Sequence, residues 1–392
     1  MDEDREPIRL FLVAGEHSGD QLGGKLISAL RETSQREIEF AGVGGEAMAA
    51  EGCTSLFPLS DIAVMGPLAI LARLRTILKR VYQSADAAIA MKPDALIILD
   101  SPEFTHPIAK RVRRRHPEIP VVDYVSPSIW AWRPGRARRM RRYIDHVLAI
   151  LPFEPAVHEN LGGPDCSYVG HPLIERLDWI RSLNPDELAV SLGLTGERPV
   201  IAVLPGSRSS EISRLMGTYG GALAGVIDKA GPVDVIIPIV PGVEGLIKKG
   251  IADWPLKPHL ITGDKKKFQA FLLSDVALAT SGTVTLELAL SGTPMVVGYR
   301  VDVIANMFRW MLKAHSIVLP NLILGENVFP EFIQGACSPK NLSYELMALL
   351  DEDSPERKQQ VIALEKLRSR MTLPSGTPSQ RAAEIILSQI KE

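Results

Sequence analysis

The chain has 392 residues, 46% apolar and 23% charged, with a formal net charge of −2. One hydrophobic core stops growing at roughly 250–300 residues, so two domains are expected, and this composition excludes disordered, collagen-like and coiled-coil classes. Three distant cysteines, Cys53, Cys166 and Cys337, argue against a disulfide framework or a zinc ribbon and fit a reducing cytosol.

In chain order, short apolar runs alternate with helical periodicity, the pattern of βαβ units around a parallel sheet. After an acidic start unlike a signal peptide, Ile8–Ala14 reads as a strand and 19–31 as a helix. Ile38–Val43 reads as a strand, 69–92 as a helix, and Ala95–Leu99 as a strand buried on both faces. A helix at 104–115 and strands at 121–125 and 147–150 follow. A second series of strands is expected at Val200–Leu204, 235–239, 260–261, Val276–Ala279 and Met295–Tyr299. The boundary falls near 172–198, giving an N-terminal domain 1–172 and a C-terminal domain 173–392, whose last helices are free to pack back on the first domain. The expected fold class is α/β, with two Rossmann-like doubly wound domains facing a central cleft at the carboxyl ends of their strands. The purely apolar runs, about five or six residues, fall far short of the roughly 20 of a membrane span.

Charge is unevenly spread. Residues 110–142 hold eleven Lys and Arg against Glu118 and Asp123, a local +9 that leaves −11 elsewhere. Such a segment suits an anionic partner: a phosphate-bearing substrate, an anionic membrane or a nucleic acid.

Five motifs follow strands. Gly15-Glu16-His17-Ser18-Gly19-Asp20 makes a tight strand-to-helix turn, with Glu16 and Ser18 placed for substrate; Ser18 and Asp20 serve equally as helix caps. Asp100-Ser101-Pro102-Glu103 puts two carboxylates at a strand end, either one a candidate general base, although N-capping fits as well. Tyr124 to Arg133 interleaves Trp130 and Trp132 with the start of the basic run, where Arg133 and Arg136 are candidate anion ligands. Gly206-Ser207-Arg208 and Ser281-Gly282-Thr283, with Glu287 following, are turns suited to a nucleotide diphosphate and its ribose. No HExxH or strand-end DxD occurs, so neither a metal nor any other cofactor is expected. Between 65 and 81, Leu68, Ile70, Leu71, Leu74, Ile77, Leu78 and Val81 cover one helical face beside Arg73, Arg75, Lys79 and Arg80. The pattern fits a core-facing helix or one lying on anionic lipid.

Taken together, AGEHSGDQLGGKLI, GVGGEAM, YVSPSIWAWRPGR, LAILPFE, VGHPL, LPGSR, SGTVTLELAL, VVGYR and LPNLILGE resemble, in order, the motifs of the lipid-A-disaccharide synthase family over about residues 10–335. The resemblance implies an inverting, metal-independent GT-B glycosyltransferase. It implies transfer of 2,3-diacylglucosamine from UDP-2,3-diacylglucosamine to 2,3-diacylglucosamine 1-phosphate (lipid X), yielding the β-1′,6-linked disaccharide 1-phosphate and UDP. A cytoplasmic location, peripheral on the inner face of the inner membrane, and acyl or membrane contact by 65–81 come with it, with a homodimer as an option and nucleic acid not expected as a partner. Glu16 and Asn321 are carried over as cleft-lining residues, and Arg133 and Arg136 are assigned to the acceptor phosphate. One position departs: Glu103 stands where the family usually has a second Asp, leaving the base open between Asp100 and Glu103. A UDP-sugar epimerase of the same fold and a nucleic-acid-binding protein using the basic segment are the rival readings.

Overall fold

The structure, a computed structural model, describes residues 6–63, 67–301 and 314–390, without the side chains of 67–70. It divides into two compact units, one running to Glu175 and resuming at Leu373, the other spanning Arg176–Thr372.

The first unit is built on a parallel sheet of β1 (Ile8–Ala14), β2 (Ile38–Val43), β3 (Ala95–Leu99), β4 (Val121–Tyr124), β5 (His146–Ala149) and β6 (Asp165–Tyr168), in the order β2-β1-β3-β4-β5-β6. Every β3 residue is buried, as helices on both faces require. β1 lies between β2 and β3, with Ala14 opposite Leu99. The chain order reverses at that point, so the crevice beyond these two strand ends is where such a sheet binds ligands.

The second unit repeats the plan with β7 (Val200–Leu204), β8 (Asp234–Ile239), β9 (His259–Thr262), β10 (Val276–Ala279), β11 (Met295–Tyr299) and β12 (Glu331–Ile333), ordered β12-β11-β10-β7-β8-β9. Its reversal lies between β7 and β10, where Leu204 pairs with Ala279. Both units are Rossmann-like, and the fold is α/β.

The expected boundary lies near 172–198, with the C-terminal helices free to pack back on the first domain. The chain passes to the second unit at Glu175/Arg176, and the segment from Leu373 belongs to the first. The cause is packing: helix Pro378–Gln389 buries Ala382, Ala383 and Ile386 in the cluster formed by β1 and helix His17–Thr33. Glu175 fastens it further, accepting hydrogen bonds from Ser379 N (3.1 Å) and Ser379 Oγ (2.7 Å). Two strands were not expected, β6 and β12. Both are short edge strands, and neither is fully buried, so their sequences carry no apolar run.

Candidate active site

At the crevice of the first unit the turns after β1 and β3 touch. A Cβ on Gly15 would stand 2.3 Å from Ser101 Cβ, so only glycine permits the approach. Asp100 and Ser101 both have left-handed backbone, φ 54° and 42°. Val125 (φ 85°), just beyond β4, and Arg133 (φ 53°) share it. Non-glycine residues in this region cost on the order of 1–3 kcal/mol each and cluster at working sites.

These turns gather three side chains. Ser18 Oγ lies 2.5 Å from Glu16 Oε1 and 3.2 Å from Asp100 Oδ2, and it has one proton to donate. Burial raises the Glu16 carboxyl above its usual range, and Asp100 pushes the same way against the Ser18 hydrogen bond and His17. The Ser18 hydroxyl links the two carboxylates, and Asp100 is placed at the strand end where it could accept a proton. Capping explains neither group: the helices beginning at His17 and Pro102 have no side-chain cap. Asp20 is a structural residue. Its carboxylate accepts from Gly45 N (2.6 Å), Ala47 N (3.0 Å) and Met48 N (3.1 Å), fixing the start of helix Glu46–Ala50.

Glu103 sits one turn along, its side chain 72% exposed, with Oε1 2.6 Å from Arg136 Nη2. Arg133 is placed differently from the expectation that paired it with Arg136. Its guanidinium lies over the Trp132 ring, 4.1 Å from the centroid. Trp130 is a packing residue: it meets Phe153 edge-on at 5.4 Å and donates from Nε1 to buried Glu154 at 3.2 Å. Burial pushes Glu154 up to about 8. Beneath the site, sequence reasoning missed a buried chain. His106 Nε2 lies 3.1 Å from Asp123 Oδ2, and its Nδ1 lies 3.1 Å from the Tyr143 hydroxyl.

Helix Pro67–Met91 leaves Leu71 (68% exposed), Leu74 (43%), Leu78 (48%) and Tyr82 (52%) in solvent. At this spacing they form one stripe, bordered by exposed Arg75 and Lys79. The core-facing alternative applies only to its other face, where Val81 is buried and Ile77 packs partly on the core. Within the expected basic flank, exposed Arg73 donates to Ser60 O at 2.8 Å, and Arg80 pairs with Asp61 at 2.6 Å. Met65 and the side chains of Leu68 and Ile70 lie outside the described residues.

In the second unit a cavity of about 620 Å³ opens beyond β7 and β10, within the usual range for small-molecule sites. It brings together Gly206, Ser207, Arg208, Ser281, Gly282, Thr283 and Glu287. Their roles are more constrained than the motifs imply. Ser207 N and Arg208 N both donate to Glu211 Oε2 at 3.3 Å, so these backbone donors are already engaged. Gly206 (φ 120°) lies so near that a Cβ would meet Glu211 Oε2 at 2.6 Å. Arg208 pairs with Glu211 at 3.0 Å yet keeps 65% of its side chain exposed. Ser281 Oγ donates to Ile317 O (2.7 Å), anchoring its turn.

Two charged lining groups, Lys267 and Asp264, escaped sequence reasoning. Lys267 Nζ pairs with Glu287 (2.9 Å) and Asp264 (3.1 Å), at the third strand end of this unit. Thr280, 4% exposed, has a buried hydroxyl with no protein partner. The available signal was Thr262-Gly263-Asp264, another glycine turn after a strand. Asn321 is corrected from cleft lining to loop clasp. It is fully buried; its Oδ1 accepts from Val328 N (3.0 Å) and Phe329 N (2.9 Å), while Nδ2 donates to Phe329 O (2.9 Å). Among the described residues no three His, Cys, Asp or Glu side chains gather as a metal-binding group, and no helix is long and apolar enough to cross a membrane.

Comparison with solved structures supports the fold. The UDP-GlcNAc 2-epimerase of Neisseria meningitidis bound to UDP-GlcNAc superposes with a TM-score of 0.58 at 13% identity, covering 97% of this chain and 99% of that one. MurG of Acinetobacter baumannii superposes with a TM-score of 0.59 at 14% identity, covering 97% and 100%. Sequence comparison is decisive where fold is not. The lipid-A-disaccharide synthase of Nitrobacter hamburgensis is 48% identical over 380 residues, covering 97% of this chain and 95% of its own. That of Bradyrhizobium diazoefficiens is 46% identical over 394 residues, covering 100% and 99%. With the family model for lipid-A-disaccharide synthetase matching residues 10–386, the chain belongs to the lipid-A-disaccharide synthase family of glycosyltransferases in lipid A biosynthesis.

Proposed function

We propose that the chain transfers 2,3-diacylglucosamine from UDP-2,3-diacylglucosamine to the 6-hydroxyl of lipid X, giving the β-1′,6-linked disaccharide 1-phosphate and UDP. The observation that carries the chemistry is the Glu16–Ser18–Asp100 cluster on strained turns. Asp100 is the base. It takes the proton of the acceptor hydroxyl as that oxygen bonds to the anomeric carbon, while the bond from that carbon to the diphosphate oxygen breaks with inversion. Glu16 orients Asp100 through the Ser18 hydroxyl that lies between them.

The cavity of the second unit takes the UDP portion. The exposed Arg208 guanidinium and the start of helix Thr283–Ser291 receive the diphosphate charge as it develops. Glu287, with Lys267 beside it, faces the ribose, and the unpartnered Thr280 hydroxyl gains a partner when the nucleotide enters. Both substrates carry acyl chains. The Leu71–Leu74–Leu78–Tyr82 stripe with Arg75 and Lys79 suits the surface of an anionic leaflet, which supports a peripheral position on the inner face of the inner membrane.

The test is product identity. Enzyme, UDP-2,3-diacylglucosamine and lipid X in detergent should give one new species with the mass of the disaccharide 1-phosphate. Conversion of the donor without lipid X would support epimerase chemistry instead.

A further inference from the structure

Two helix faces in the first unit bring like charges together around Tyr143. On helix Pro102–Arg115, residues 103, 110 and 114 are spaced i, i+7 and i+11 and therefore share a stripe. On helix Gly135–Met140, residues 136 and 139 stand one turn apart, with Tyr143 one further turn along. Tyr143 joins the two: Lys110 Nζ lies 4.8 Å from its ring centroid, and its hydroxyl lies 3.1 Å from His106 Nδ1. The two faces thus bring together Lys110, Arg114, Arg136 and Arg139 with one acid, Glu103, which pairs with Arg136 alone. Among the described residues Lys110, Arg114 and Arg139 have no ion-pair partner. Burial and then the neighbouring Arg136 lower the Lys110 ammonium below its usual range, with Arg139 and Arg114 adding to this and Glu103 opposing it. Cations packed this way repel one another until an anion enters.

We infer that this basic surface is a phosphomonoester site, built by Lys110, Arg136 and Arg139, in which the Glu103 carboxylate holds Arg136 until a phosphate displaces it. The inference rests on the glycosyltransferase reading, in which the phosphomonoester is that of the acceptor. An arginine fork binds two phosphate oxygens at once, whereas the exposed Glu103 offers a single contact at a cost easily repaid. Arg133, stacked on Trp132, is outside this set.

Glucosamine 1-phosphate, a soluble phosphomonoester, titrated calorimetrically into the full chain should bind saturably. Lys110→Gln with Arg139→Gln should weaken it at least tenfold, and Glu103→Gln should tighten it severalfold. The exposed Arg141→Gln, off the shared face, is the control for general loss of charge. In parallel, the double variant should raise KM for lipid X while leaving UDP affinity and binding to vesicles of phosphatidylglycerol and phosphatidylcholine unchanged. Unchanged glucosamine 1-phosphate binding in the double variant overturns the site. Loss of vesicle binding with an unchanged KM overturns the acceptor assignment and makes the anion a lipid headgroup. Saturable phosphate binding in a protein with no transferase activity would sustain the site while removing the reaction it is proposed to serve. Lys110→Arg, which keeps the charge, should retain binding and so separates lost charge from lost folding.

Discussion

Gly15 and Ser101 come together at the reversal point of the first sheet, so closely that a Cβ on Gly15 would lie 2.3 Å from Ser101 Cβ. The approach sets the distance from Glu16 and Ser18 to Asp100. Gly15→Ala must push the turns apart. We expect a loss of about 1–3 kcal/mol in stability and at least a hundredfold fall in kcat, read by denaturant unfolding and by product formation.

Asp100 and Glu103 separate in the same assay. Asp100→Asn removes the proton acceptor and should lower kcat by roughly 10²–10⁴ with UDP affinity intact. Glu103→Gln should lower kcat less than tenfold. A loss at Glu103 as large as at Asp100 would return the base to Glu103.

Much of this was legible in the sequence because strand-end turns carry their own punctuation. All seven residues assigned to the nucleotide line one cavity, since glycines at 206 and 282 mark tight turns after apolar runs. What the turns would bond to was not legible. The engagement of Ser207 and Arg208 by Glu211 depends on a carboxylate folding back across one helical turn. Asn321 matched a motif, but its bonds were settled by Val328 and Phe329, seven and eight residues on, and by Ser316 five residues before it. The left-handed backbone at Asp100, Ser101 and Val125 leaves no mark in residue type, and the return of 378–389 to the first unit depends on a surface made by helix His17–Thr33.

Thr280 offers a test of the donor cavity that leaves the fold intact. Its buried hydroxyl has no protein partner, so Thr280→Val removes an unsatisfied group. Stability should hold or rise by up to about 1 kcal/mol, while UDP affinity falls several-fold. Calorimetry with UDP checks the second, thermal unfolding the first.

The exposed stripe predicts a separation of membrane binding from folding. Leu71→Glu, Leu74→Glu and Leu78→Glu together replace side chains already in solvent. Tm should stay within a few degrees, and co-sedimentation with anionic vesicles should fall at least tenfold.

Stability should depend on pH through three buried groups. Burial lowers His158 and His171 to about 4, below the ordinary histidine value near 6.5. The unfolded chain therefore binds more protons between these values, and the contribution is complete above pH 6.5 and lost as pH falls towards 4, at most ~3 kcal/mol each. Glu154, raised to about 8, acts oppositely: the folded state keeps its proton longer, so its contribution is present below about pH 4.5 and is lost as pH rises through 8. His158→Gln should flatten the acid limb of Tm against pH, and Glu154→Gln the alkaline limb.

The central claim is acceptor-dependent transfer with Asp100 as base. UDP release from UDP-2,3-diacylglucosamine, followed with and without lipid X for the wild type and Asp100→Asn, tests it most directly. The account predicts release only with lipid X, and a fall of at least a hundredfold in the variant at unchanged UDP affinity. Release independent of lipid X, or an Asp100→Asn variant turning over at the wild-type rate, would contradict it.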